Sequence, residues 1–492
     1  MKAHYQSYRY GGEICKAEGQ SIVECRIAGQ EIANIVAVQA RAAEQNATCE
    51  NGEIKYSGKL YLTVLYEDLN GKICRLERGA EFFHNAKNEA ITPACIAQGT
   101  LSVDNSSVRR EGANYIVSCV IGARFCAYGE KQISYLSGGE GLIVKRTELP
   151  ISSVVCVSGV FEEEDEFETD FAQDILMHGE TVTVTDVRCE VGQVEISGEI
   201  GLHFCMLRRD GSLCSYERTA PFRSQLVCDM ALPSSFATAS VSVQTAYISA
   251  DTDEEKGRSK IVVTFTLQAC AKVYETTELT VCEDAYALDR NTSLKWQNEA
   301  GRVALNARTI TERVHGTPVL SSAEIQDKML RAVIMPTASC EAVKTENGLA
   351  IEGVVEGKAI FSGEDGGYVA ADLSLPFILP LTGGETDAEI NCSVYGLSLR
   401  IRGGEAEAEA TLKLRVCAYG STQGEYLSEV IEGDEKPVID SAVSVYILGK
   451  GDGLWETAKR LSLSPEEVER SNPTLDFPLK GEERLVIYRQ KP

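Results

Sequence analysis

The stretch NGEIKYSGKLYLTVLYEDLNG, Asn51 to Gly71, returns twice more along the 492-residue chain. It reappears as VGQVEISGEIGLHFCMLRRDG from Val191 and as ENGLAIEGVVEGKAIFSGEDG from Glu346. Laid over one another, the three segments align Gly58 with Gly198 and Gly353, and thirteen residues later Gly71 with Gly211 and Gly366. Each of the later glycines closes an Asn-Gly or Asp-Gly pair between two apolar runs, the strongest short-range signal for a β-hairpin. The repeated unit therefore contains a hairpin.

Each copy continues into a second strand region: NYIVSCVIGARFCAYG ending at Gly129, KIVVTFTLQACAKVY ending at Tyr274 and EAEAEATLKLRVCAYG ending at Gly420. In the third, Glu405, Glu407, Glu409, Thr411, Lys413 and Arg415 alternate with Ala406, Ala408, Ala410, Leu412, Leu414 and Val416. A period of two puts all six polar residues on one face, which predicts a strand with one wet side. The first-copy run, with Ile116, Val117, Val120 and Ile121, is apolar on both faces and is expected at the centre of its sheet. The aligned glycines are 140 and then 155 residues apart, so the repeats are whole domains and not solenoid turns of about 20 to 50 residues.

The expected architecture is mainly β: three repeated β-sandwich-like domains in tandem, then a small βααβ module. The expected boundaries are 1–29 for an N-terminal extension, 30–140, 141–290 and 291–435 for the three β-domains, and 443–490 for the module. Glu432 to Pro437 (EGDEKP) reads as the last linker. The acidic run FEEEDEFETDF, Phe161 to Phe171, is expected as a solvated inter-domain loop, because like charges so densely packed repel one another.

Composition narrows the function classes. Acidic residues exceed basic ones by 73 − 48 = 25, a charge that disfavours nucleic acid and anionic lipid headgroups as partners. No stretch approaches the roughly 18 to 20 apolar residues of a spanning helix, and MKAHYQSYRYGGE lacks the apolar core of a signal peptide, so a cytosolic location is the expectation. The 17 cysteines are scattered singly without a CxxC and read as small buried hydrophobes, with no metal or other cofactor expected.

From Val443 the pattern changes to strand, helix, helix, strand: VSVYIL, then GKGDGLWETAKRL, then SLSPEEVERSNPTLDFPLKGEER, then LVIY. Leu454, Ala458 and Leu461 share one helix face. Ser464-Pro465-Glu466-Glu467 predicts a capped helix start. Tyr446, Gly451-Asp452, Leu454-Trp455, Asn472-Pro473 and Leu485-Val486-Ile487 together resemble the LysM family over about 45 residues. The resemblance implies a shallow groove for N-acetylglucosamine polymers, lined by Lys450, Asp452, Gly453, Leu454 and Trp455 from one loop and Pro473, Leu475, Asp476 and Phe477 from the other. Asp452 is expected to cap the first helix and Trp455 to pack against the second. Gly453 stands where the family has Thr or Ser, GEERL has one residue more than its G-x-x-L, and Tyr488 replaces its closing Pro. These departures point away from sugar as the ligand.

Three β-domains carrying the G-x-L-x-L-x-V-x-Y hairpin (Gly58, Leu60, Leu62, Val64, Tyr66) and followed by such a module resemble the SipL-type SPOCS-domain proteins of endospore-forming Firmicutes. The resemblance implies a non-enzymatic sporulation protein of the mother-cell cytosol that tethers the spore coat to the forespore surface. In that family the LysM module engages a coat morphogenetic ATPase, stage IV sporulation protein A. The alternatives are an envelope protein binding peptidoglycan or a chitin-type glycan, and a coat component that self-associates through its β-domains. An enzyme is not expected. The five histidines, His4, His84, His178, His203 and His315, form no HExxH, and no P-loop or GxSxG occurs.

Overall fold

The computed structural model describes all residues except 171, 209, 254–256, 322–327, 347, 364–366, 382–386, 403–404, 438–442 and 489–492. The chain is mainly β, with two short helices near its end. The turn expected at Gly366, the end of the acidic run at Phe171 and the end of the C-terminal module lie outside the described residues.

Six strands form the first pair of sheets: β1 (Lys2–Ala28), β2 (Ile32–Glu50), β3 (Glu53–Asp68), β4 (Ile73–Lys87), β5 (Ile96–Glu111) and β6 (Asn114–Glu140). Their orders are β1-β6-β5 and β2-β3-β4, all antiparallel. The plan recurs in β7 (Leu142–Asp170), β8 (Ala172–Glu190), β9 (Gln193–Arg208), β10 (Leu213–Val227), β11 (Phe236–Asp253) and β12 (Arg258–Ala287), as β11-β12-β7 and β10-β9-β8. It recurs again in β13 (Arg290–Gly316), β14 (Val319–Leu320), β15 (Met329–Thr345), β16 (Gly348–Ser362), β17 (Tyr368–Pro380), β18 (Asp387–Arg402) and β19 (Glu405–Glu435). There the orders are β13-β19-β18 and β14-β17-β16-β15.

Each pair of sheets closes over its own apolar cluster. Leu60, Leu62 and Val64 are at most 1% exposed, and burying each contributes about 2 kcal/mol. The aligned glycines answer a steric demand. Gly58, Gly198 and Gly353 pair across the hairpin with Phe82, Phe222 and Phe377, whose rings fill the space where a Cβ would stand. On the other side lies a carbonyl of the preceding strand, from Ala43, Thr183 or Ser339. Gly71 and Gly211 hold φ of +77° and +80°, which only glycine adopts at little cost, and Asp68 and Asp210 accept the turn amides.

Four expectations fail here for physical reasons. Glu432 to Glu435 are not linker but the end of β19, with Glu432 opposite Thr292 and Glu435 opposite Arg290. Residues 1–29 are not an extension: β1 is hydrogen-bonded to β6 along its whole length and buries Ala17, Val23, Cys25 and Ile27 in the first core. The acidic run is not a loop but the second half of β7. Phe161 and Phe167 turn inward, while Arg218 grips Asp165 at 2.9 and 3.1 Å, Arg258 meets Glu168 at 3.0 Å and Lys260 meets Glu166 at 2.8 Å. Cations from neighbouring strands relieve the repulsion, and the remaining charge lies on a sheet edge, where it discourages pairing with other chains. Finally, the wet face of β19 is wet only at Glu405, Glu407 and Glu409. Lys413 pairs with Glu199, and Arg415, 7% exposed, donates to the Thr185 carbonyl at 2.7 Å, so this half of the strand is a contact with the second pair of sheets.

The three sheet pairs also meet one another. At one end, equivalent residues converge: Ala37, Met177 and Ala332; Leu65, Cys205 and Ile360; Ile73, Leu213 and Tyr368. At the other end the long first and last strands of each pair run on as two-stranded ribbons. The ribbons pack together through Tyr10, Ile133, Tyr135, Leu149, Ile151, Val281 and Tyr426. Tyr10 donates to Glu299 at 2.6 Å across the bundle. The arrangement is a pseudo-threefold bundle written in one chain.

All 17 cysteines are free, and none is exposed. Burial pushes most of their thiols up, Cys205 to about 12, which leaves them packed and unreactive. Among the described residues no helix is long and apolar enough to cross a membrane.

Candidate docking site on the C-terminal module

The last segment folds as β20 (Val443–Leu448), α1 (Leu454–Leu461), α2 (Pro465–Ser471) and β21 (Glu483–Tyr488). β20 and β21 are antiparallel, with Val443 opposite Tyr488. The start of α2 follows from its sequence: Ser464 accepts from the Glu467 amide at 3.1 Å, and Glu467 accepts from the Ser464 amide at 3.0 Å, with Pro465 in the first turn. Asn472, 8% exposed, ends α2 and exchanges two 2.8 Å bonds with the backbone of Val486, locking helix to strand. Leu448, Ala458, Leu463, Val468, Leu479, Leu485 and Ile487 form the module's core.

The nine expected groove residues divide into three groups. Leu454, Trp455, Leu475 and Phe477 pack on the core. Asp452 and Gly453 serve the loop itself. Gly453, not Asp452, is the N-cap of α1 and brings no side-chain bond. The Asp452 carboxylate accepts instead from the Gly449 amide at 3.1 Å and from Arg460 at 2.9 Å, which together hold its pKa below the usual carboxylate range. Its carbonyl receives the Leu479 amide at 3.1 Å, and the Gly451 amide donates to the Leu479 carbonyl at 2.8 Å. These bonds sew the two loops together. Lys450, Pro473 and Asp476 are the exposed members of the nine, Asp476 within 3.7 Å of Lys480.

Trp455 packs on the module's core and also reaches beyond the module. Its indole N–H donates to Asp284 of β12 at 2.7 Å, and its ring meets Tyr286 edge-on at 5.1 Å between centroids. Lys459, one turn on, donates to both Asp284 oxygens at 2.6 and 2.8 Å. The Tyr286 hydroxyl donates to the Leu463 carbonyl at 2.6 Å, and burial beside Asp284, Glu466 and Glu467 raises its pKa. Asp284 is presented by a β-bulge at Glu283, whose carbonyl receives the N–H of Trp296, the chain's other tryptophan, at 3.0 Å. α1 is thereby bolted to the tip of the second ribbon.

One exposed feature has no counterpart in the expected groove. Val443, Val445, Ile447 and Tyr488 line the outer face of the β20–β21 sheet, Ile447 at 74% and Tyr488 at 68% exposure. Its signal in VSVYIL is an apolar residue at nearly every position, so that both strand faces are apolar and only one can serve the core. Two of the five histidines have side-chain bonds: His178 bonds Glu180 on its own strand β8 at 2.5 Å, and His203 donates across to the Val394 carbonyl of the third sheet pair at 2.9 Å. Among the described residues no group of three or more His, Cys, Asp and Glu side chains is placed to hold a metal ion. Searches against family models, curated proteins and solved structures return no match for this chain.

Proposed function

We propose that the chain is a non-catalytic assembly protein in which three tandem SPOCS-type β-domains carry a C-terminal LysM-type module that docks a protein partner. The observation that supports this reading best is the mounting of the module. Trp455 and Lys459, on the helix that opens the expected sugar groove, are committed to Asp284 within the chain. The surface left for a partner is Lys450, Pro473, Asp476 and the apolar outer strand face. An exposed apolar strand face fits a protein better than a glycan, whose hydroxyls call for polar groups and aromatic faces.

The resemblance to the SipL-type proteins supplies the setting: the mother-cell cytosol, the forespore surface, and a coat-basement ATPase of the stage IV sporulation protein A type as partner. The test is capture of that ATPase by the full chain. The double variant Lys450→Glu/Asp476→Lys should reduce capture at least tenfold with melting unchanged. Undiminished capture would reject the module's outward face as the docking site. Sedimentation of the intact chain with purified cell wall would favour the glycan-binding reading instead.

A further inference from the structure

Between the three sheet pairs lies a cavity of about 750 Å³, walled mainly by β2 and β5 of the first pair, β8, β11 and β12 of the second and β18 of the third. Cavities of roughly 300 to 1,000 Å³ accommodate small-molecule ligands. One of its walls breaks the repeat. Glu44 pairs with Gly58, and the residues that pair with the equivalent glycines Gly198 and Gly353 are Val184 and Cys340. Both counterparts pack in their apolar cores. The first copy thus places a carboxylate in a row otherwise reserved for apolar side chains.

Glu44 has no hydrogen-bond or ion-pair partner among the described residues, and burial pushes its pKa up to about 7. The other charged groups on the lining, Arg41 and Glu180, face each other at 3.9 Å, and Glu180 also holds His178. Glu44 is therefore the uncompensated charge of the cavity. Gln98, on the β5 wall, adds a second unmet demand: its side-chain nitrogen is buried and has no acceptor among the described residues. A half-buried carboxylate and a buried donor, each without a partner, cost free energy and call for a compensating ligand or water.

We propose that this cavity binds a small organic cation whose ammonium group pairs with Glu44 and whose hydroxyl or carbonyl oxygens accept from Gln98 and the surrounding amide and hydroxyl side chains. A ligand of this kind meets both demands at once, an anion lacking a cation and a donor lacking an acceptor. The site is independent of the C-terminal module and of the proposed docking function.

Calorimetric titration of the full chain with glucosamine and with glucose tests the proposal, since the two differ in an ammonium that replaces one hydroxyl. Glucosamine should bind saturably and at least tenfold more tightly than glucose. Glu44→Gln, which keeps the shape and removes the charge, should weaken glucosamine at least tenfold, and Gln98→Leu should weaken it several-fold. If Glu44→Gln melts early, Glu44→Val, carrying the residue of the second copy, supplies the same charge deletion. Absence of saturable glucosamine binding up to about 10 mM, equal binding of glucose, or unchanged binding by either Glu44 variant would overturn the proposal.

Discussion

The ribbons of the three sheet pairs carry the same bulge, at Ser137, Glu283 and Ser428, and only the middle one holds the C-terminal module. In the first and third, the bulged serine turns back on its own ribbon, Ser137 donating to the His4 carbonyl and Ser428 to the Lys295 carbonyl, each at 3.1 Å. In the second, the backbone at Glu283 is satisfied by Trp296, and the next residue, Asp284, is free to reach outward. A pseudo-symmetric body thus receives one asymmetric module because three side chains, Asp284, Tyr286 and Trp296, occur at one tip. The same lesson holds in the cores, where Glu44 departs from Val184 and Cys340. Where one copy departs from the other two, the departure marks a specialised place.

The mounting of the module depends most on Asp284. Asp284→Ala strands the indole of Trp455 and the ammonium of Lys459 in a half-buried contact, and should cost the junction about 3 kcal/mol. Limited proteolysis between residues 436 and 443 would read the release of the module; unchanged resistance would show that Asp284 is no different from Gly138 or Glu429 at the sister tips. Glu44 tests the same rule in a core. Because its folded pKa is about 7 against an ordinary 4.5, the folded state prefers the neutral acid. The penalty is absent below about pH 4.5, grows through pH 7 and is complete above it, amounting to about 3 kcal/mol. Glu44→Val should therefore raise urea-unfolding stability at pH 8 by about 2 to 3 kcal/mol and flatten its dependence between pH 4.5 and 7.

Tyr286→Phe acts at the same junction with a smaller effect. It keeps the ring against Trp455 and leaves the Leu463 carbonyl unpaired, for an expected loss of about 1 to 1.5 kcal/mol in the module's unfolding, followed by tryptophan fluorescence. The smallest effect is expected at Asp452→Asn. Its partner Arg460 is exposed and the pair serves only the loop, so the melting temperature should barely move.

Local chemistry made part of this legible. The Asn-Gly and Asp-Gly turns, the paired glycines and the Ser464–Glu467 box are short-range signals, and they lead to strands, hairpins and a helix start that need no distant partner. What escaped the sequence depends on residues far along the chain. The acidic half of β7 looks self-repelling until Arg218 and Arg258, 53 and 90 residues away from their partners, are brought alongside. The alternation in β19 shows which residues share a face, but whether that face meets water or Thr185 depends on the second sheet pair. At the candidate site, the LysM-like pattern located Trp455 without showing that Asp284, 171 residues earlier, would occupy it.

The claim that this chain is a coat tether is tested most directly by a fluorescent fusion followed through growth and sporulation. For a coat tether the signal should appear in sporulating cells as a ring around the forespore, and disperse into the mother cell with Lys450→Glu/Asp476→Lys. Uniform labelling of the walls of growing cells would contradict it.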